Sequence, residues 1–451
     1  MYSTQWSRLD NAAKIFPPST TKDDTKVFRF SCELREKVDP VVLQHALDLS
    51  LEHFPFYRST IRRGFFWYYF AQSDLKSEVK EEYKTPCAPL YGVNRNNLLF
   101  EVTYYRARIN LEIYHALSDG MGALQFLKTI VSYYLLEKHP DTIDAHIHSR
   151  SDDASGEQRS DDAFDKYYSK KKSSKILKLT VGQQLTHGQQ LPQAYRVRGE
   201  RFSESRLGVI EGHVSAASLL KKAHELNATI SELLTALFIC AFHGGMKVRD
   251  EEKPVSISIP VDLRKFFATP SVRNFFSVIN VSHNFSTQGK TFEDVLARVK
   301  ISLREQLAPE KIFERINQLS SFEHALPIKM VPLAVKVPFL KNAAWNAEKA
   351  NSAAFSNLGR IIMPPEMVPY IRLFDLFTST SRPQICICSF EDALVISITS
   401  PFVSSNIQRS FFRSLGSLGI DIEIVSNVED CYPPDSRYPV DSLGGRHALL
   451  S

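Results

Sequence analysis

The sequence contains no uninterrupted apolar run near the ~20 residues that a helix needs to cross a bilayer. Its first residues, Met1-Tyr2-Ser3-Thr4-Gln5-Trp6-Ser7-Arg8, lack the apolar centre of a secretory signal. A soluble, cytoplasmic protein without a membrane span is therefore expected. Strong charge of one sign is also missing, since 55 Lys+Arg against 50 Asp+Glu leave only +5 over 451 residues. A nucleic-acid partner, which calls for clustered positive charge, is not expected. The six cysteines, Cys32, Cys87, Cys240, Cys386, Cys388 and Cys431, form no C-x-x-C pair, so neither a zinc ribbon nor a thioredoxin-type site is suggested. Cys386 and Cys388, two apart in an apolar run, should share one strand face as small buried residues with reduced thiols. G-x-S-x-G and H-E-x-x-H are absent, which removes two common hydrolase signatures. No short-period repeat is visible.

What is present is material for a well-filled core. Hydrophobic residues make up 43% and aromatics 11%, a globular composition, and the length points to two domains. Val27 to Leu34 alternates, with Phe28, Phe30, Cys32 and Leu34 on one side. Asp39 and Pro40 have the chemistry of an N-cap and first helical residue before the stripe Leu43, Ala46, Leu47 and Leu51. Phe65-Phe66-Trp67-Tyr68-Tyr69-Phe70 reads as a strand buried on both faces. Leu98–Tyr105 and Ile109–His115 read as two more strands.

The pattern fades after Asp141, and Ser149 to Ser174 is polar, with Asp152-Asp153, Asp161-Asp162 and Lys170-Lys171-Lys172. It reads as a solvated connection. Beyond it strands are expected at Val209–Val214, Val255–Val261, Ser277–His283, Ala353–Phe355, Gln384–Phe390, Leu394–Thr399 and Ile420–Val425. Ser215, Thr229 with Glu232, and Thr291 with Asp294 mark helix starts, and a further helix is expected near Ser405–Leu418. Strands and helices interleaved in this way make an α/β layered protein. The expected division is residues 1–145, a polar linker or crossover at 146–200, and residues 201–451.

One stretch stands out, His115-Ala116-Leu117-Ser118-Asp119-Gly120. Ile109, Leu111, Ile113 and His115 share one face of the incoming strand. Leu124, Leu127, Val131 and Leu135 give the outgoing segment a helical stripe. A histidine at a strand end can accept and return a proton near neutral pH. A lone base suffices where a substrate supplies the nucleophile. Asp119 could orient the imidazole or anchor the turn through a distant cation, and Gly120 permits close backbone approach. A metal site is not expected, because His115 and Asp119 have no evident third ligand.

These residues resemble the HxxxDG acyltransferase superfamily, which includes chloramphenicol acetyltransferase, plant BAHD acyltransferases, alcohol acetyltransferases and condensation domains of nonribosomal peptide synthetases. Within it the chain is most similar to bacterial alcohol-acetyltransferase-like proteins of similar length. The likeness extends to Leu43–Arg58, Pro260-Val261-Asp262-Leu263-Arg264, Arg273-Asn274-Phe275-Phe276 and Phe355-Ser356-Asn357-Leu358-Gly359. It implies two chloramphenicol-acetyltransferase-like domains, each a mixed sheet covered by helices, with a tunnel between them. It further implies a monomer with no bound cofactor and acyl-CoA as co-substrate. His115 would be the general base, transferring an acetyl or other short acyl group to the hydroxyl or amine of a small molecule. Asp119 would pair with Arg264 to hold the motif loop, and Ser356, Asn357 and Asn274 would line the tunnel or its oxyanion site.

Two departures from the family pattern matter. Tyr114 stands where condensation domains usually carry a second histidine, and no carrier-protein-like segment is visible. Phe355-Ser356-Asn357-Leu358-Gly359 replaces the plant Asp-Phe-Gly-Trp-Gly signature. The alternatives are condensation-type transfer from an acylated carrier protein and a relative that binds without catalysing.

Overall fold

A computed structural model of the chain describes residues 6–92, 95–143, 193–203, 206–324, 330–428 and 446–449. The polar stretch Ser149 to Ser174, Cys431 and most of the expected linker 146–200 lie outside them.

Two large sheets dominate. One has five strands in the order Ile371–Thr378, Val27–Leu34, Arg108–Tyr114, Phe100–Tyr105 and Lys80–Glu81, antiparallel except for the last pair. The other has eight, in the order Phe276–His283, Val255–Asp262, Ala353–Ile361, Gln384–Phe390, Ala393–Ser400, Gly208–Ser215, Glu423–Ser426 and Arg446–Leu449. In it Ala353–Ile361 runs parallel to both neighbours and the other pairs are antiparallel. The helices Pro40–His53 and Gly120–Lys138 pack on each other beside the first sheet. Ile230–His243, Phe292–Gln306 and Asn406–Ser417 pack together beside the second. The architecture is mixed sheets covered by helices, as the alternation of elements leads one to expect.

Local chemistry explains the helix starts. Asp39 accepts from the amides of Val41 and Val42 ahead of Pro40. Thr229 with Glu232 and Thr291 with Asp294 form reciprocal capping boxes, and Ser215 caps Ala216–Glu225. Each cap satisfies amides that have no partner inside the helix.

Three readings change. Of the six-aromatic run only Tyr68–Phe70 lies in a strand, Tyr68–Gln72, and Phe65–Trp67 form the hairpin bend from Ser59–Arg63, closed by Gly64 N–H donating to Trp67 O at 3.0 Å. A Cβ on Gly64 would lie 2.6 Å from that oxygen, so the turn requires glycine there. Phe65 and Phe66 end up exposed. Aromatic side chains favour strands, but the glycine decides where the strand breaks. The strand Ile371–Thr378 was not expected, and it pairs with Val27–Leu34 from the first half of the chain. The segment before Ala353, to which the sequence assigned no element, holds a helix, Leu333–Lys349, which accommodates Pro338.

The polar side of the motif strand is not a solvent face. Arg29 is buried and donates to Glu112 Oε1 from Nε at 3.0 Å and Nη2 at 2.9 Å, and Nη1 reaches Glu82 at 2.5 Å. Alternation therefore marked the two faces correctly, while burial covers both. Cys386 and Cys388 are buried on one face, and burial raises both thiols above their ordinary range. Among the described residues no single helix is long and apolar enough to cross a membrane.

Candidate active site

The strand Arg108–Tyr114 ends one residue before His115, whose N–H donates to Lys26 O at 2.8 Å. Lys26 adopts φ +56°, a left-handed conformation that costs a non-glycine residue about 1 kcal/mol or more. Its amide is held by Asp24 Oδ1 at 3.2 Å, so the strained turn is fastened from both sides. Tyr114, the neighbour of His115, points into the core, with its hydroxyl 2.7 Å from Thr20 Oγ1 and its ring stacked on Tyr91. Alternation sends consecutive side chains to opposite faces, which is why only the histidine of this pair reaches the cavity.

The tautomer of His115 follows from its neighbour. Asn274 Nδ2 donates to Ala116 O at 3.2 Å, and this carbonyl can only accept. Asn274 must therefore turn Oδ1 toward His115 Nδ1, 3.2 Å away. Nδ1 then carries the proton and Nε2 is the basic nitrogen. Phe16 stacks on the imidazole with centroids 4.5 Å apart, and Phe28 and Phe276 lie at 5.1 and 5.5 Å. Burial among these rings lowers the pKa below the ordinary histidine value, offset in part by the Asp119 charge. The resting imidazole is neutral and able to take a proton.

Asp119 is engaged on both oxygens. Oδ1 caps the helix Gly120–Lys138 by accepting from Gly122 N at 3.0 Å. Oδ2 accepts from Arg264 Nη1 and from Phe275 N, each at 2.8 Å. Arg264 directs its remaining N–H groups to Asp262 and to the carbonyls of Ser271 and Arg273. Ser118 Oγ donates to Val272 O at 2.5 Å. The motif loop is thus tied to the segment 264–275 by side chains reaching in both directions.

The close approach belongs to Gly122 rather than Gly120. A Cβ on Gly122 would fall 2.0 Å from Val272 O, whereas one on Gly120 would meet only a movable Leu358 methyl at 3.1 Å. A glycine in a helix interior costs about 1 kcal/mol relative to alanine, and that penalty was the signal available for it.

His115, Asp119 and Gly120 open onto a cavity of about 810 Å³. Its walls come from both halves of the chain: Lys26 and Phe28 on one side, Lys265, Arg304 and Arg382 on the other. Ser356 and Asn357 line it too, but they differ in role. Asn357 Oδ1 accepts from Gly359 N, and its Nδ2 donates to Ser231 Oγ, both at 2.8 Å. This fixes the register shift at Asn357/Gly359, where Gly359 has φ +85°. Asn274, grouped with the lining residues in the sequence reading, is buried and holds the imidazole instead. Phe16, Lys26 and Gly122 were missed from the sequence, because their importance depends on what the fold brings to them.

This fold matches known structures over most of the chain. Trichothecene 15-O-acetyltransferase from Fusarium sporotrichioides superposes with a TM-score of 0.60 at 12% identity, covering 92% of this chain and 94% of its own. The first condensation domain of the CDA synthetase gives 0.61 at 13%, covering 100% of both chains. Polyketide synthase associated protein 5 from Mycobacterium tuberculosis gives 0.56 at 14%, covering 91% and 96%. The fold is therefore the chloramphenicol-acetyltransferase-like fold that acetyltransferases and condensation domains share. No protein-family profile matches the sequence, and no curated protein matches it either.

Proposed function

We propose that the protein is an acyltransferase that moves an acyl group from a thioester, acyl-CoA in the simplest case, to the hydroxyl or amine of a small molecule. The observation that carries this reading is His115: its Nδ1 is committed to Asn274, Nε2 is left basic, and the ring stands at a cavity walled by both halves of the chain. The acetyltransferase and condensation domains that share the fold support it.

Acceptor and thioester meet in the cavity, and Nε2 of His115 accepts the acceptor's proton as its oxygen or nitrogen attacks the thioester carbonyl. The C–S bond breaks as the tetrahedral intermediate collapses, and the imidazolium returns the proton to the departing thiolate. No serine or cysteine nucleophile is required. Positioned donors at the developing oxyanion are typically worth a few kcal/mol, and Ser356, on the cavity wall, is the candidate. Asp119 and Arg264 act by fixing the loop, and Asn274 acts by fixing the tautomer.

Thiol release from acyl-CoA, measured with a library of alcohols and amines over several chain lengths, tests the reading. His115→Ala should abolish release while the protein stays folded, and full activity in that variant would sink it. The condensation-domain likeness favours one second reading, an acylated carrier protein as donor. An enzyme of that kind transfers from the carrier and leaves the CoA thioester intact.

A further inference from the structure

Away from the cavity, large apolar side chains are exposed on a hairpin bend and on the helix it is fastened to. The hairpin bend between Ser59–Arg63 and Tyr68–Gln72 presents Phe65, which is 72% exposed, beside Phe66. It is fastened to the helix Leu333–Lys349. Leu333 donates its N–H to Phe65 O at 2.8 Å, and Lys336 Nζ donates to Phe66 O at 3.1 Å while lying 3.8 Å from the Trp67 ring centre. On the helix Phe339 is 72% and Trp345 53% exposed, with Val335 a turn earlier and Met330 just ahead of the first turn. At about 100° per residue, Val335, Pro338, Phe339, Asn342 and Trp345 fall within a roughly 120° arc. Single exposed apolar residues are ordinary, but a contiguous group marks an interaction surface.

Cations outnumber carboxylates on the helix and the strand leading into the bend. The helix carries Lys341 and Lys349 at its surface, while Lys336 is buried against Trp67, and its one carboxylate, Glu348, lies 3.8 Å from Lys26 Nζ. Arg62 and Arg63 precede the bend, and no acidic residue occurs from Ser59 to Gln72. Lys349 Nζ stands 3.0 Å from the Trp345 ring centre, a cation and an aromatic sharing one spot. A second copy of the chain would set these cations against one another. Phenylalanine and tryptophan ringed by lysine and arginine complement the headgroup boundary of an anionic bilayer. The helix has 17 residues, about 25 Å at 1.5 Å each, shorter than the ~30 Å hydrocarbon layer, so it would lie in the interface plane.

We propose that the bend at Phe65–Phe66 and the outer face of Leu333–Lys349 dock the protein on an anionic phospholipid surface. The helix ends beside the cavity: Arg382 Nη1 donates to Glu348 O at 2.9 Å, and both Arg382 and Lys26 line it. On the acyl-transfer reading above, docking brings the cavity wall close to lipid-borne acyl donors or acceptors.

The test needs no turnover, so it stands or falls apart from the enzymatic reading. Full-length protein is mixed with vesicles of phosphatidylcholine alone, or with one-third phosphatidylglycerol, then sedimented while tryptophan fluorescence is followed. Binding to the anionic vesicles, weakened by high salt, is expected. Phe339→Asp and Trp345→Asp should each weaken partition roughly tenfold or more without altering thermal unfolding. No partition into anionic vesicles, equal partition into neutral ones, or unchanged binding by both variants would overturn the proposal. So would a concentration-dependent dimer in vesicle-free solution that Phe339→Asp abolishes, since the face would then be an interface between copies.

Discussion

Replacing Arg264 by alanine takes away five hydrogen bonds, one each to Asp119 and Asp262 and three to the carbonyls of Ser271 and Arg273. Breaking a buried ion pair by removing one partner costs about 3–5 kcal/mol. Asp119 would keep the amides of Gly122 and Phe275, which places Arg264→Ala near the lower end, at about 3 kcal/mol. Asp119→Ala loses the same pair together with the N-cap, itself worth about 1 kcal/mol, for a total near 4. If the two act as one joint, the double variant loses only about 4–5 kcal/mol, a coupling of about 2–3. Urea unfolding followed by circular dichroism reads all four corners of the cycle, with the slopes checking that the transition stays two-state. Losses that add to within about 0.5 kcal/mol would refute the joint. Activity should fall in kcat through a displaced His115, and Asp119→Ala, which removes a charge that raises the His115 pKa, should also move the acid limb of the pH profile downward.

Burial lowers the His115 pKa below 6.5, so the rate rises with pH along a limb below that value and is level across neutrality. A pH profile of kcat/KM with its limb above the free-imidazole value would contradict this. Asn274→Ala should lower kcat by roughly ten- to a hundredfold with little change in KM, and Asn274→Asp should move the acid limb upward by placing a carboxylate against Nδ1. Gly122→Ala, a helix-favouring change elsewhere, should destabilise by about 3 kcal/mol because of Val272 O, while Gly120→Ala should be mild; thermal unfolding separates them. Asp375 is buried, and burial followed by the Glu211 charge raises its pKa. The folded state then holds a proton that the unfolded state releases, so stability declines as pH rises above the ordinary carboxylate range. Asp375→Asn should raise the unfolding temperature progressively as pH climbs from the ordinary carboxylate range toward about 7, with the gain level above it.

Near-neighbour chemistry could be read directly. The caps at Asp39, Ser215, Thr229 and Thr291 concern residues two or three apart, and each forms as the spacing predicts. The stripe Leu124, Leu127, Val131 and Leu135 is buried, and so are Ile109, Leu111 and Ile113. The strand Ile371–Thr378 was missed because its partner, Val27–Leu34, lies more than three hundred residues away and nothing local marks the pairing. The bend at Gly64 hid inside an aromatic run for the opposite reason, since strand propensity there outweighed one turn residue.

The sequence by itself determined the strand–histidine–turn–helix unit, because period, capping and turn chemistry act over a few residues. Its likeness to a known superfamily also pointed to Arg264 as the partner of Asp119. Only the tertiary structure decided what surrounds His115. Asn274 sets the tautomer, Phe16 and Phe28 dry the ring, Lys26 bends to receive its amide, and Gly122 lets Val272 come close. These relations join segments far apart in the chain, and pKa and hydrogen-bond direction depend on what lies within a few ångströms in space. Distance along the chain carries no record of that.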